Sequence, residues 1–283
     1  MEQNIGEFLR SRRARIQPED VGLVGYGRRR VPGLRREELA QLAGVSVDYY
    51  VRLEQGRSPT VSEAVLDSIG RALRLDETER THLRNLVRPA PRTRRTPAAQ
   101  RVRPEIQRLL AMLDRVPAFV LGRRATVLAW NPLANAIYGF AALPPADRNM
   151  ARFVFRDPAA VEFYPRWDTV AAETVGFLHL EAGKHPDDPQ LAALVGELSV
   201  NSDRFRTLWA RQDVHDKSHG PKVISHPTVG LLDLTYESFA PPGDTEQLLI
   251  TYLAEANSPT EERLRLLASW HAEQQVDPAR QDA

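Results

Sequence analysis

LRREELAQLAGVSVDYYVRLEQGR, residues 34–57, predicts two short helices that meet at a tight corner. Gly44 suits the left-handed conformation that ends a helix, and Ser46 is a natural N-cap for the helix that follows. The side chains expected to be buried around the corner are Leu39, Ala43, Val45, Tyr50 and Leu53. A helix–turn–helix of this kind places its second helix in the major groove of DNA. A purely structural helical hairpin would show the same local pattern.

The sequence around this corner predicts an all-helical domain over residues 1–88. Apolar residues at helical spacing predict an amphipathic helix near the N-terminus and another after residue 60. Asp76 is the expected N-cap of the last helix of this domain. The glycine- and arginine-rich stretch VGLVGYGRRRVPG, residues 21–33, predicts a loop between the first two helices.

The charge of the chain is unevenly distributed. The net charge is only +1, but residues 1–103 hold 21 arginines, no lysine and 13 acidic residues, which gives +8. The remaining residues hold 17 basic and 24 acidic side chains, which gives −7. A basic head of this kind indicates a polyanionic partner. The alternative is a basic face that is simply solvated.

Residues 89–103 are rich in arginine and proline and predict an interdomain linker. Residues 104–283 have a different character. Short apolar runs of strand type, AFVLG and TVLAWN, precede a mostly helical stretch over 147–211. Strand patterns return in PKVISHP, GLLDLTYESF and EQLLITYLAE, before a final helix with Ser258 as its N-cap. The fold class is therefore α+β, with an antiparallel sheet packed with helices after the helical head.

Several function classes lose support from the sequence. The chain has no cysteine, which removes disulfides and thiolate sites. It has no apolar run long enough to span a bilayer and no signal-peptide pattern, so we expect a cytoplasmic protein with no membrane partner. Enzyme motifs are missing, and His215 and His219 are four residues apart in a loop-like stretch with no third ligand. We therefore expect no enzyme, no metal and no cofactor.

The corner and its flanks, LAQLAGVS…RLEQGRSPT, resemble the Cro/C1 class of helix–turn–helix repressors, the xenobiotic-response-element family, over residues 4–76. The resemblance implies that a five-helix head binds double-stranded DNA. The residues it places against base edges are Val47, Asp48, Tyr49 and Arg52. Those it places against the DNA backbone are Arg35, Arg36, Ser46, Gln55 and Arg57. Asp48 has an alternative role, since a carboxylate in the first turn also favours the helix dipole.

The resemblance implies a structural role for Glu54, which we expect to pair with Arg13 of the first helix. The loop between the first two helices is longer than in simple repressors of this class. Its three consecutive cations, Arg28, Arg29 and Arg30, are candidates for contacts with phosphate or the minor groove. A solvated arginine loop remains the alternative.

Across nearly its whole length the chain resembles the MmyB-like regulators, through RRRVPGLRREELAQLAGVSVDYYVRLEQGR, AFVLGRRATVLAWNPLANAIYG and KVISHPTVGLLDLTYE. The resemblance implies a PAS-like ligand-binding domain, a small apolar or fatty-acid-like effector and a link to secondary metabolism. Residues compatible with such a pocket are Asn131, Tyr164, Trp167, Phe205, Trp209, Arg211, His226 and Tyr236. Each aromatic residue also fits a plain core position, and Asn131 also fits a helix cap.

The sequence therefore predicts a ligand-responsive transcription regulator. We expect a homodimer, because one head buries too little surface for high specificity and a two-fold dimer doubles it. The alternative is a DNA-binding protein whose C-terminal domain only dimerises and takes no ligand.

Overall fold

The computed structural model describes residues 5–23, 33–57, 61–87, 100–244 and 246–276, with side chains through residue 271. The predicted phosphate contacts Arg28, Arg29 and Arg30 lie outside these residues. The chain divides into two compact units that do not follow sequence order. The first contains the described residues up to 87 together with 175–195 and 206–216, and the second contains the rest.

The N-terminal part of the first unit is the predicted helical head. Its helices are α1 (Ile5–Arg15), α2 (Arg36–Ala43), α3 (Val47–Glu54), α4 (Glu63–Ala72) and α5 (Glu77–Val87), with a short 3-10 turn at Pro18–Val21. Phe8, Leu39, Tyr50 and Ile69 are completely buried in one apolar core. Asp76 caps α5 as predicted, since its Oδ1 accepts a hydrogen bond from the Glu79 N–H at 2.8 Å.

The remaining elements follow in chain order. The helices are α6 (Pro104–Met112), α7 (Pro132–Tyr138), α8 (Met150–Arg156), α9 (Ala159–Phe163), α10 (Trp167–Lys184), α11 (Pro189–Asn201), α12 (Asp203–Trp209) and α13 (Pro259–Val276). The strands are β1 (Ala118–Leu121), β2 (Val127–Trp130), β3 (His219–His226), β4 (Gly230–Phe239) and β5 (Leu248–Leu253). These elements confirm the helical stretch and all five predicted strands.

The five strands form one antiparallel sheet in the order β2-β1-β5-β4-β3. Strand β4 alternates as its sequence predicts, with Leu232, Leu234 and Tyr236 buried and Asp233 and Thr235 exposed. Helix α7 packs on β1, and α13 packs on α7 and β4. The α+β class and the PAS-like sheet packed with helices are confirmed.

Two hydrogen bonds form the start of the last helix, α13. Ser258 Oγ accepts from the Glu261 N–H at 3.2 Å, which confirms Ser258 as the N-cap of α13. The Glu261 carboxylate reaches back to the Asn257 N–H at 2.7 Å, one residue earlier than a standard capping box requires. Among the described residues, no helix is both long enough and apolar enough to cross a bilayer.

Candidate functional site

The helix corner has the geometry that its sequence predicts. Gly44 ends α2 with φ 66° and ψ 32°, the left-handed region that a Cβ disfavours. Ser46 starts α3, and its Oγ accepts a hydrogen bond from the Tyr49 N–H at 3.1 Å. Leu39, Tyr50 and Leu53 are buried beneath the corner. Helix α3 is therefore held firmly on one side and leaves its other side open.

The open side of α3 carries the residues predicted to reach base edges. Val47 is 46% exposed, which is unusual for a branched apolar side chain in the first turn of a helix. Asp48 and Arg52 are exposed and form an ion pair one turn apart, with Oδ2 and Nη2 separated by 3.2 Å. Tyr49 is half-buried beside them. The guanidinium of Arg52 is thus held over the helix surface by a carboxylate that is itself a candidate for base contact.

A buried carboxylate fixes the C-terminal end of α3 against α1 and α2. The side chain of Glu54 is 1% exposed. Its Oε1 accepts from Arg36 Nη2 at 2.7 Å and from Arg36 Nε at 2.9 Å. Its Oε2 lies 3.4 Å from Arg13 Nε, which confirms the predicted partner. The hydrogen bond to Glu54 and the charge of Glu54 raise the pKa of Arg36.

Arg36 is therefore a partner of Glu54, which the sequence did not indicate. The residue was predicted to contact the DNA backbone, and its side chain is still 45% exposed. The shared carboxylate ties this cation to the end of the recognition helix α3. Any contact that Arg36 makes with a phosphate would thus be made from a guanidinium already positioned by Glu54.

The other predicted backbone contacts lie at the ends of α2 and α3. Arg35 precedes α2, and its N–H donates to Glu38 Oε2 at 2.7 Å. Ser46 is exposed while its hydroxyl caps α3. Gln55 and Arg57 are exposed just beyond the end of α3.

The second unit contains a partly open cavity. About 440 Å³ in and around it is free of atoms, and about 30 Å³ of this can hold water, roughly two molecules. The apolar lining residues are Phe119, Leu121, Met150, Val154, Val170 and Ile250. The polar ones are Tyr164, Thr174, Lys217, Lys222, Tyr236 and Tyr252. A mainly apolar wall with a few convergent polar groups is typical of a small-molecule site.

One lysine of this cavity is a buried member of β3. Lys222 is 6% exposed, and its Nζ lies 3.2 Å from Glu173 Oε2 on α10. The same ammonium lies 5.5 Å from the centre of the Tyr236 ring and 5.8 Å from that of Tyr164. The carboxylate and the two rings together stabilise a positive charge that would otherwise be costly to bury.

The second lysine, Lys217, lines the same cavity just before β3. Burial of its amine and the neighbouring Lys222 lower the pKa of Lys217 to about 8. The charge of Glu173 acts in the opposite direction. Two of the described lining residues are thus cationic and none of them is acidic.

Tyrosine hydroxyls form a chain at one side of the cavity. The hydroxyls of Tyr138 and Tyr252 are 2.8 Å apart, and Tyr164 donates to Tyr138 at 3.4 Å. Burial raises the pKa of all three phenols. They therefore stay neutral and can only donate or accept hydrogen bonds at ordinary pH.

Comparison with protein families connects both regions to known functions. The description "MmyB-like transcription regulator ligand binding domain" matches residues 102–267, which is more than half of the chain. The chain belongs to the MmyB-like transcription regulators. A helix-turn-helix domain family matches residues 4–83. No curated protein matches this chain closely. The MmyB-like protein is thus a DNA-binding transcription regulator with a ligand-binding domain.

The structure brings two of the eight predicted ligand residues of this MmyB-like regulator to the cavity, namely Tyr164 and Tyr236. Asn131 instead caps α7, where Oδ1 accepts from the Ala134 N–H at 2.9 Å. His226 closes the turn after β3, since its Nδ1 lies 3.2 Å from the Thr228 N–H. Neither residue lines the cavity, and each has a structural contact instead. For Asn131 this is the helix cap that the sequence also suggested.

The other four predicted ligand residues do not line the cavity either. Trp167 donates to the Val154 carbonyl at 2.9 Å, and Phe205 is fully buried. Trp209 belongs to the first unit, where it stacks on His179 with ring centres 3.7 Å apart. Arg211 also belongs to the first unit and lies at its surface.

Sequence reasoning missed the two lysines of the cavity. Their signal was compositional, because the chain has only three lysines, Lys184, Lys217 and Lys222, among 38 basic residues. Position within β3 was a second signal, since Lys222 lies two residues before the buried Ile224 and therefore faces the same side of the strand.

The first unit joins residues of both family matches around one buried cation. Arg12 of α1 is 2% exposed, and its Nη2 donates to the Gln212 carbonyl at 2.6 Å. Its Nε lies 2.7 Å from Glu79 Oε1, and its Nη1 lies 3.5 Å from Asp213 Oδ1. Burial, assisted by Arg15, lowers the pKa of Arg12 to about 10. Residues 212 and 213 of the ligand-binding match thus help to hold the first helix of the DNA-binding match.

Proposed function

We propose that this MmyB-like protein is a sequence-specific regulator whose operator binding responds to a small apolar or fatty-acid-like ligand in the cavity of the second unit. The observation that carries the proposal is the pairing of an apolar wall with two lysines in one cavity. A molecule with an apolar body and a polar head matches such a lining. The head would lie toward Lys217 and Lys222, and the body against Phe119, Leu121 and Ile250.

The size of the cavity sets a condition on ligand entry. Ligand sites of small molecules commonly enclose about 300–1,000 Å³. The space ready to be filled here is about 30 Å³, within about 440 Å³ that includes open solvent. Side chains of the wall must therefore rotate to admit a chain of several carbons. Met150, with its flexible thioether, is suited to such a movement.

The route from ligand to DNA runs along the chain in this proposal. Gln212 and Asp213 hold Arg12 of α1 within the first unit. Lys217, only five residues further along the chain, lines the cavity. A ligand that prefers one arrangement of residues 212–217 changes the population of the DNA-binding arrangement by its difference in affinity. The expected result is a change in the spacing or angle of two heads in a homodimer on a partly palindromic operator.

On the DNA side, the proposal assigns base contacts to Val47, Asp48, Tyr49 and Arg52 of α3. The exposed ion pair between Asp48 and Arg52 supports these roles. Arg52 suits guanine O6 and N7, and Asp48 suits a cytosine amino group, so the pair suits neighbouring G·C positions. Arg35, Arg36, Ser46, Gln55 and Arg57 would fix the register through phosphate contacts.

Native mass spectrometry of the purified full chain, compared with its denatured mass, tests the proposal. A dimer that carries an additional small mass, lost on denaturation, would support it and yield the ligand for identification. A dimer that carries no added mass and takes up no dodecanoic acid on titration would favour a dimerisation platform. A monomer would contradict the two-fold operator arrangement.

A further inference from the structure

Lysine is rare in this chain and concentrated at the cavity. Of the 38 basic residues only three are lysines, and two of these three, Lys217 and Lys222, line one cavity. The third, Lys184, lies on α10 in the first unit with its Nζ 3.0 Å from Glu181 Oε1. Arginine serves every other basic position, including the buried Arg12 and the outward-facing Arg52. The cavity thus departs sharply from the usage of the rest of the chain.

A requirement for positive charge alone does not explain this departure. Arginine binds carboxylates through a planar fork and stays charged, so it would serve an anion at least as well as lysine. Lysine offers what arginine lacks, a compact amine that can lose its proton and attack an electrophilic carbon. A nearby second cation is a known way to keep such an amine neutral.

Lys222 is the second cation in the cavity that Lys217 lines. Lys222 Nζ lies 3.2 Å from Glu173 Oε2, and 5.8 Å and 5.5 Å from the ring centres of Tyr164 and Tyr236. Lys217 shares the cavity with that charge, and burial together with Lys222 lowers its pKa to about 8. The lowered pKa leaves more of Lys217 in the neutral form near neutral pH than an ordinary lysine would have.

Other titratable groups lie around the same cavity. Tyr164, Tyr236 and Tyr252 reach the lining from different elements. The pKa values of Tyr164 and Tyr252 are raised by burial. Glu173, on α10, is held beside Lys222. The lowered pKa of Lys217 makes this amine a group that we expect to change charge near pH 8.

We infer that Lys217 binds the carbonyl carbon of an amphipathic aldehyde or ketone in this cavity by forming a reversible imine. The inference rests on the proposed ligand site and names the chemical class of its head group. The apolar wall would hold the carbon chain, as it would for a fatty acid. Lys222 is a positioning residue, because it acts through the charge state of Lys217.

The step balances without an oxidant or a reductant. The lone pair of the neutral amine forms the C–N bond while the carbonyl π electrons move to oxygen. The nitrogen releases its two protons in turn, the oxygen takes up two, and the C–O bond breaks to release one water molecule. The product is a C=N bond, which hydrolysis reverses. Lys222, which lines the cavity, offers a proton donor, and Glu173 beside it offers an acceptor. The apolar wall of the cavity limits competing water.

Reductive trapping of the full chain tests the inference. Dodecanal and sodium cyanoborohydride are added, and peptide mapping locates the alkylated amines. We expect the Lys217 peptide to be labelled at least tenfold faster than the Lys184 peptide, with a pH dependence whose midpoint lies near 8. The N-terminal amine is mapped separately because its ordinary pKa is also near 8.

Matched variants separate a reactive amine from a general effect on folding. K217R, which keeps the charge but cannot form an imine, should lose the label in the cavity, and K184R should leave it unchanged. K222Q should shift the pH midpoint of Lys217 labelling upward, because it removes the neighbouring charge. K217Q, which also lacks the amine, serves as a second test if K217R fails to fold.

The possible outcomes distinguish failure of the imine from failure of the proposed ligand site. Equal labelling of Lys184 and Lys217, or labelling unaffected by K217R, would overturn the imine. Dodecanoic acid bound in native mass spectrometry without trapping of dodecanal would also overturn the imine while the proposed ligand site stands. Failure of both the acid and the aldehyde to bind would overturn the proposed site itself.

Discussion

The DNA-binding head and the ligand cavity both depend on positive charge, but they use different cations. The head is built with arginine throughout, and the cavity presents two of the three lysines of the chain. Arginine suits phosphate and guanine because its planar fork makes two directed hydrogen bonds and keeps its charge. Lysine suits a buried cavity in which charge must be adjustable. The choice of cation thus distinguishes the proposed DNA-contacting surface from the proposed ligand cavity.

Each region also contains a carboxylate that organises its cations. Glu54 is almost fully buried and joins Arg36 and Arg13 at the end of the recognition helix. Glu173 joins a single lysine, Lys222, at the cavity. Removing the partner of a buried carboxylate such as Glu54, or of a partly buried one such as Glu173, is costly, so both clusters should contribute to stability.

The largest effect is expected from removing the carboxylate of the head. E54A leaves Arg13 and Arg36 close together without their shared anion and should lower the free energy of unfolding by about 3 kcal/mol. Urea unfolding measures this loss. E37A, which removes an exposed acid from the same helix as Arg36, should change stability by less than about 0.5 kcal/mol. Equal losses in the two variants would show that Glu54 does not organise the head.

Removing the cation that pairs with Glu173 at the cavity should lower the free energy of unfolding somewhat less. K222M keeps most of the side-chain volume but leaves Glu173 without its ammonium, and should destabilise the protein by about 2 kcal/mol. The double variant K222M/E173Q should recover most of that loss, because no carboxylate is then stranded. Urea unfolding of all four members of this cycle gives the coupling energy. Additive effects would mean that the two charges do not stabilise each other.

On DNA, arginine should not be replaceable by lysine. R52K keeps the charge of Arg52 but loses its fork, and should weaken binding to the specific operator by about 1.5 kcal/mol while random DNA is bound as before. Fluorescence anisotropy on an operator selected from a random pool measures both affinities. Equal weakening on specific and random DNA would remove Arg52 from the base-reading residues.

The two regions should also differ in their response to pH. Lys217 has a folded pKa of about 8, below its ordinary value of 10.5. Its ammonium is therefore lost as pH rises through about 8, and the affinity for dodecanoate should fall by about 1 kcal/mol over the next pH unit. Operator binding without ligand should stay flat, since arginine does not titrate there. Calorimetry at pH 7, 8 and 9 measures the ligand affinity, and a flat profile would contradict an ammonium at the head group.

The lowered pKa of Lys217 also makes the free energy of unfolding depend on pH. Between about pH 8 and 10.5 the unfolded chain holds the Lys217 proton more tightly than the folded chain does. This group therefore contributes a stability that increases with pH across that window and decreases as pH falls back through it.

The smallest effect is expected at the exposed ion pair of α3. D48A removes the partner of Arg52 from a surface pair and should change the free energy of unfolding by less than about 0.5 kcal/mol. The base preference next to the Arg52 position should nevertheless relax, which operator selection with the variant would reveal. A large loss of stability would show that Asp48 mainly supports the helix.

Local rules account for what the sequence predicted of this fold. The caps at Ser46, Asp76 and Ser258 and the glycine at 44 follow from the hydrogen-bonding needs of helix ends. The alternation in β4 follows from the pleat of a strand. Such features involve neighbours within a few residues, so a single sequence contains them in full.

Contacts between distant residues were harder to predict. Nothing near Arg36 indicates that it lies against Glu54, and nothing near Gln212 indicates that it holds Arg12. Trp209 and Arg211 were expected in the ligand pocket because aromatic and basic residues suit one. They belong instead to the unit that contains the DNA-binding head. The lysines of the cavity were overlooked for the same reason, because nothing near Lys217 or Lys222 in the sequence indicates that the two line one cavity.

The most direct test of a ligand-responsive regulator is the operator affinity of the full chain with and without dodecanoic acid. The proposed function predicts that saturating acid changes the Kd for the selected operator by about fivefold or more, the usual scale of coupling between two sites. Reciprocity then requires operator DNA to change the affinity for the acid by the same factor. Binding of the acid at the cavity with no change in operator affinity would contradict the coupling of the two regions.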